Sequence, residues 1–74
     1  MKKEEIIEML EEAMDLDPET LKEDTVLADF DEWDSLAKLS LLAAAKKNFK
    51  VALTAADVKG FVVVADVINY FHAE

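Results

Sequence analysis

One glycine and one proline are all that this chain offers for sharp reversals over 74 residues. A protein of many strands needs turn residues at most of its reversals, so few and long elements are favoured here. Alanine, leucine, glutamate and lysine, all good helix formers, are plentiful. Cysteine is absent, which removes a disulfide framework, a thiolate metal site and a cysteine nucleophile. A domain this small without such staples must rest on helix packing. The expected fold is all-α: a small four-helix bundle of three main helices and a short third one, forming a single domain over residues 1–74.

Charge narrows the partners. The formal net charge is −9, whereas nucleic-acid backbones call for a basic face, so no nucleic-acid partner is expected. Partners with basic patches are favoured instead. The balance is uneven: residues 1–34 hold 14 acidic and 3 basic side chains, and residues 35–74 hold 3 acidic and 5 basic. The first residues read Met-Lys-Lys-Glu-Glu-Ile-Ile-Glu, charged from the start and without the apolar stretch of a signal peptide. No run approaches the ~20 apolar residues of a membrane helix. A soluble, cytoplasmic monomer with no membrane contact is the expectation.

Ile6, Leu10, Ala13 and Met14 recur at helical spacing and predict a first helix over residues 3–14, with Ile7 bordering the buried face. Glu4, Glu5, Glu8, Glu11 and Glu12 then fall on the solvated side. Over residues 15–34 the helical pattern is lost. Asp17-Pro18 signals a turn, and Leu16, Leu21, Val26, Leu27, Phe30 and Trp33 are spaced irregularly among acids. This reads as a long loop pinned to the bundle by its apolar residues, with Trp33 as a core anchor. Loops of this length in compact domains are often functional.

A second helix is expected from residue 35 to 49 or 50, with Leu41, Leu42, Ala45 and Phe49 facing the core. Leu36, Leu39 and Ala43 lie on another arc. They either pack under the long loop or form an exposed apolar strip. Thr54-Ala-Ala-Asp57 is a capping-box variant opening a short third helix, and Gly60 is a natural stop. The last helix should cover residues 63–73, with Val64, Val67, Ile68 and Phe71 as its buried stripe. Phe61-Val-Val-Val64 has strand propensity. With no partner strand in view, it reads as the lead-in to the last helix.

Trp33-Asp34-Ser35-Leu36 stands where the long loop meets the second helix. A helix N-terminus presents unpaired N–H groups and the positive end of the helix dipole, and phosphates bind there readily. Asp34 is a good N-cap, expected to accept from the amide near Ala37. Ser35 then occupies the first helical position with its hydroxyl free. Asp31, Glu32 and Asp34 would repel a phosphate, but at a surface this is screened. The plainer reading of Asp34 and Ser35 is helix capping alone. His72 reads as a solvated helix-end residue. Asp29, Asp31 and Glu32 are close enough for weak cation binding, a pattern common in acidic loops, and no metal site is expected. No catalytic triad and no glycine-rich phosphate loop is visible, so no enzymatic activity is expected.

The order of acidic loop, Asp-Ser-Leu, apolar helix, short helix and closing helix resembles the acyl carrier protein family, including its aminoacyl and peptidyl members. The resemblance covers nearly the whole chain. Phe49 falls where that family tends to place an aromatic, and Trp33-Asp-Ser-Leu36 looks like the form found in free-standing carriers of specialised pathways. The resemblance implies that Ser35 takes a covalent 4′-phosphopantetheine arm from coenzyme A through a separate phosphopantetheinyl transferase, with Asp34 and Leu36 flanking it. It implies an arm whose thiol holds acyl groups as thioesters for acyl ligases or synthase-type enzymes, as in fatty-acid or polyketide biosynthesis. It also implies partner docking on Leu36, Leu39 and Ala43. A core bounded by Leu10, Leu41, Leu42, Val64, Ile68 and Phe71 would then shelter an acyl chain in the space left by Ala43 to Ala45. An aminoacyl or peptidyl carrier, or a non-carrier helical interaction module, remains an alternative.

Three features depart from the resemblance. No acid lies between Ser35 and Lys50, where many carriers have several; Lys38, Lys46 and Lys47 stand there instead. Partners would then use the apolar strip, read the acids of residues 29–34, or be acidic themselves near the lysines. This favours a dedicated pathway over a general fatty-acid carrier. The glycine that commonly precedes Asp-Ser-Leu is absent. Val63 replaces the usual Ser or Thr cap of the last helix, a loss worth ~1 kcal/mol that Asp66 partly offsets through the helix dipole.

Overall fold

A computed structural model describes residues 2–73. Helix α1 spans Lys3–Ala13, α2 Ser35–Phe49, α3 Ala55–Lys59 and α4 Val64–Tyr70, with a 3₁₀ turn at Leu27–Asp29 in the long α1–α2 connection. The fold is a small all-α bundle. Its second and third helices begin where their caps predict. Asp34 accepts from the Ala37 amide at 2.9 Å. Thr54 and Asp57 form a reciprocal capping box, at 3.1 and 3.2 Å. The last helix is shorter than expected: Val63 is extended, and the chain turns at Phe71 and His72.

α1 and α2 run antiparallel. Glu5 and Glu8 share a cleft with Asn48 and Phe49, and Ala13 and Met14 share another with Leu36 and Ala37. Ile6, Leu10, Leu41, Ala45, Val64 and Val67 have no exposed surface and form the centre of the core. The α4 stripe of Val64, Val67, Ile68 and Phe71 is buried as its spacing predicts. Met9 and Ala37 join the core as well, whereas Ala13, Leu42 and Phe49 are only half-buried. The Phe49 and Phe71 rings meet at 5.7 Å between centroids.

Of the small α2 residues expected to leave room for an acyl chain, Ala43 is exposed and Ala45 is wholly buried in the core. Pronounced clefts open on the outer surface, along α1 and at the start of α2.

Two corrections concern the long loop. Glu11 is not solvated. It is 4% exposed, and its Oε2 accepts the Thr20 and Leu21 amides at 2.9 and 3.1 Å. The loop folds over this face of α1, so a helix position that looks outward becomes an anchor. The Phe61–Val64 run does have a partner, which lies in the loop. Val26 and Val63 form an isolated antiparallel bridge. The Leu27 amide donates to the Val62 carbonyl at 2.9 Å, the Val64 amide to Thr25 at 3.0 Å, and the Ala65 amide to Glu23 at 2.9 Å. These bonds satisfy backbone groups that the start of α4 would otherwise leave open. Leu21 and Leu27 are buried beneath the loop.

Reversals use left-handed backbone at non-glycine positions: Asp15, Glu19, Lys50 and His72 have φ of 56°, 66°, 57° and 54°. Gly60 ends α3 as expected, but at φ −80° and ψ −9°, ordinary right-handed helical backbone.

Candidate functional site at the start of helix α2

The chain reaches α2 through Asp34, whose extended backbone (φ −110°, ψ −174°) breaks the loop before the helix starts. Its carboxylate takes the Ala37 amide, and the Lys38 amide closes the first turn onto the Asp34 carbonyl at 3.0 Å. With the cap in place, Ser35 is the first helical residue and its side chain is exposed. The hydroxyl thus stands at the positive end of a 15-residue helix.

Asp34, Ser35 and Leu36 are contiguous here, and all three are exposed. Leu36 is 73% and Leu39 62% exposed, and Ala43 continues the same face. Of the two arrangements open to these side chains, the structure adopts the exposed strip. Leu41 and Ala37 turn to the core on the opposite side.

Trp33 anchors the loop against the core without entering it. It is half-buried against the rim of the core, and Lys38 Nζ lies 5.6 Å from its ring centroid. This contact holds Lys38 on the first turns of α2, three residues after Ser35, where the two side chains are neighbours. In the sequence, the signal for Lys38 is its i+3 spacing from Ser35. A cleft of about 410 Å³ opens beside this turn, floored by Ala13, Met14 and Ala37. Glu12, Glu32 and Asp34 stand at its edge. A phosphate on Ser35 would draw support from the helix N-terminus and Lys38, against repulsion from these carboxylates.

Shifted titrations occur elsewhere, on α3 and α4. The backbone amide and side chain of Thr54, with a smaller share from the Tyr70 hydroxyl, hold the Asp57 carboxyl below its ordinary value. The Val62 and Val63 amides do the same for Asp66. Partial desolvation, and the charge and hydrogen bond of Asp57, push Tyr70 up. No group of three acids or histidines able to hold a metal ion occurs among the described residues, Asp29, Asp31 and Glu32 included.

The family model described as the phosphopantetheine attachment site matches residues 4–71. The chain belongs to this family. Its members carry a covalently attached 4′-phosphopantetheine group, so the protein is a phosphopantetheine carrier. Carriers of this kind are non-catalytic; they hold a group for other enzymes. No curated protein and no solved structure gives a significant match to this phosphopantetheine carrier. No helix among its described residues is long and apolar enough to cross a membrane.

Proposed function

We propose that Ser35 is the attachment residue and that the protein is an acyl carrier. In this reading a separate transferase activates the Ser35 hydroxyl toward the pyrophosphate of coenzyme A. Oγ loses its proton and forms a new phosphodiester, and adenosine 3′,5′-bisphosphate leaves. Asp34 keeps the first turn formed while the hydroxyl stays outside it. The α2 N-terminus and Lys38 then offset the new negative charge. The arm supplies the thiol that this cysteine-free chain lacks, and acyl groups ride on it as thioesters to partner ligases or synthases. Leu36, Leu39 and Ala43 form the apolar docking surface beside the arm.

The observation that carries the assignment is the exposed serine at the first position of a capped helix. The other serine, Ser40, lies one and a half turns into α2, where the backbone N–H groups are already engaged. Incubation with coenzyme A and a broad-specificity phosphopantetheinyl transferase, read by mass spectrometry, tests the assignment. The intact chain gains one arm. Ser35→Ala gains none, and Ser40→Ala gains it as the parent does. An arm retained in Ser35→Ala would sink the assignment. Loading of the modified protein by acyl ligases but not by aminoacyl ligases separates an acyl from an aminoacyl carrier.

A further inference from the structure

Leu36, Leu39 and Ala43 are exposed and form one stripe on α2 with exposed Lys46 and Lys47, because steps of three, four and seven residues return to one helix face; Lys50, also exposed, caps the helix end just beyond them. The stripe is apolar beside Ser35 and cationic at its far end. At ~1.5 Å per residue Lys46 and Lys47 lie ~15–17 Å from Leu36. All three lysines are exposed, and the one ion pair found among the described residues, Lys3 with Glu23, uses none of them. No acid stands on α2 itself. Glu5 and Glu8 of α1 lie across Asn48 and Phe49, on the other side of the helix end. Lys46 and Lys47 do complement the α2 dipole. That accounts for their place in the last turn, and leaves two large exposed leucines on the same line unexplained.

We infer that this stripe docks onto partner surfaces whose apolar patch sits against Leu36, Leu39 and Ala43 and whose carboxylates meet Lys46, Lys47 and Lys50. The inference rests on the proposed function, since it takes Ser35 as the end of the stripe that enters the partner. A basic partner would meet three uncompensated lysines here. The remaining acids of the molecule repel an acidic partner at long range, but at physiological salt the screening length is ~8 Å. Charges in direct apposition therefore decide the docked state.

The test uses two amphipathic helical peptides with the same leucine face, one bearing three glutamates at one end and the other three lysines. Each is titrated into the isotope-labelled, arm-bearing protein and followed by NMR. The glutamate peptide moves the amide signals of Leu36, Leu39, Ala43, Lys46, Lys47 and Lys50. It binds roughly 10-fold tighter than the lysine peptide at low salt, as three exposed charge pairs provide. The preference vanishes in Lys46→Gln/Lys47→Gln/Lys50→Gln, which keeps the helix by circular dichroism, and reverses in the corresponding triple glutamate variant. Equal or tighter binding of the lysine peptide would overturn the inference. So would shifts confined to α1, or concentration-dependent shifts on the stripe without peptide, which mark a second copy as its occupant. Mass spectrometry of each variant reports the arm separately: without an arm on Ser35 the function falls, whereas the peptide preference alone decides the docking surface.

Discussion

Two carboxylates carry more of this structure than their exposure on a helix diagram would indicate. Asp34 sets where α2 begins, and with it the position of Ser35. Replacing it with alanine removes the acceptor for the Ala37 amide, and the domain should lose ~1 kcal/mol in urea unfolding; Asp34→Asn should lose only a few tenths. The alanine variant should also take up the arm more slowly, because its first turn frays. Glu11 is the second case. Its Oε2 serves two loop amides, that of Leu21 buried. Glu11→Ala leaves both donors without their partner, and a loss of ~2–3 kcal/mol is expected. Glu11→Gln keeps an acceptor oxygen and should lose less. Equal loss in both variants would show that the charge, not the geometry, holds the loop. Asp34 was legible in the sequence because capping is local and acts within three residues. Glu11 was not, because periodicity places a side chain on a helix face and says nothing of a loop that later covers that face.

At the scale of elements, helix starts were readable wherever a side-chain cap marks them, as at Asp34 and Thr54. Faces were harder to read on α2. Apolar residues surround it, so spacing picks out the arc of Leu41 and Ala45 as the buried one but does not say whether Leu36, Leu39 and Ala43 are covered as well. Ala37 enters the core and Leu36 does not, the reverse of what size suggests. The pairing of the loop with residues 62–65 was illegible for a different reason. It is a bridge of single residues across a wide sequence separation, without the alternation that announces a strand.

The start of α4 invites a test. Val63 has extended cap geometry but offers no side-chain acceptor, and Asp66 reaches back to the Val62 and Val63 amides at 2.9 and 3.1 Å. Val63→Thr supplies the missing acceptor, keeps a β-branched shape in the bridge and should add ~0.5–1 kcal/mol, or a few degrees in melting temperature. Acid acts on the same elements. The amides that hold Asp57 and Asp66 low bind the charged carboxylates. Their contribution is full above the unfolded aspartate value of about 3.9 and is lost as pH falls through the lower folded value. Melting followed from about pH 5 downward should therefore show falling stability, and a smaller fall in Asp66→Asn. An equal fall in that variant would place the acid sensitivity elsewhere.

For the whole molecule, charge and size set the margins. A net charge of −9 on a chain this short opposes compaction, so melting temperature should rise with added sodium chloride and level off as the Debye length shrinks below the spacing of surface charges. Flat melting across that range would show that the lysines of α2 already neutralise the field locally. The core is small, and total stability is on the order of 5 kcal/mol for such domains. Leu41→Ala, at a position with no exposed surface, should cost ~2–5 kcal/mol, a large share of that margin, and lower the melting temperature sharply by circular dichroism.

The distribution of left-handed backbone has one more consequence. Asp15, Glu19, Lys50 and His72 adopt a conformation that is costly for residues with a Cβ, while the only glycine spends its freedom on an angle open to any amino acid. An alanine Cβ at Gly60 would meet nothing closer than the Asp57 carbonyl oxygen at 3.4 Å, an ordinary contact. Flexibility and need are thus mismatched in both directions. The chain holds unspent robustness that could be released at its turns while the residues around the serine stay untouched.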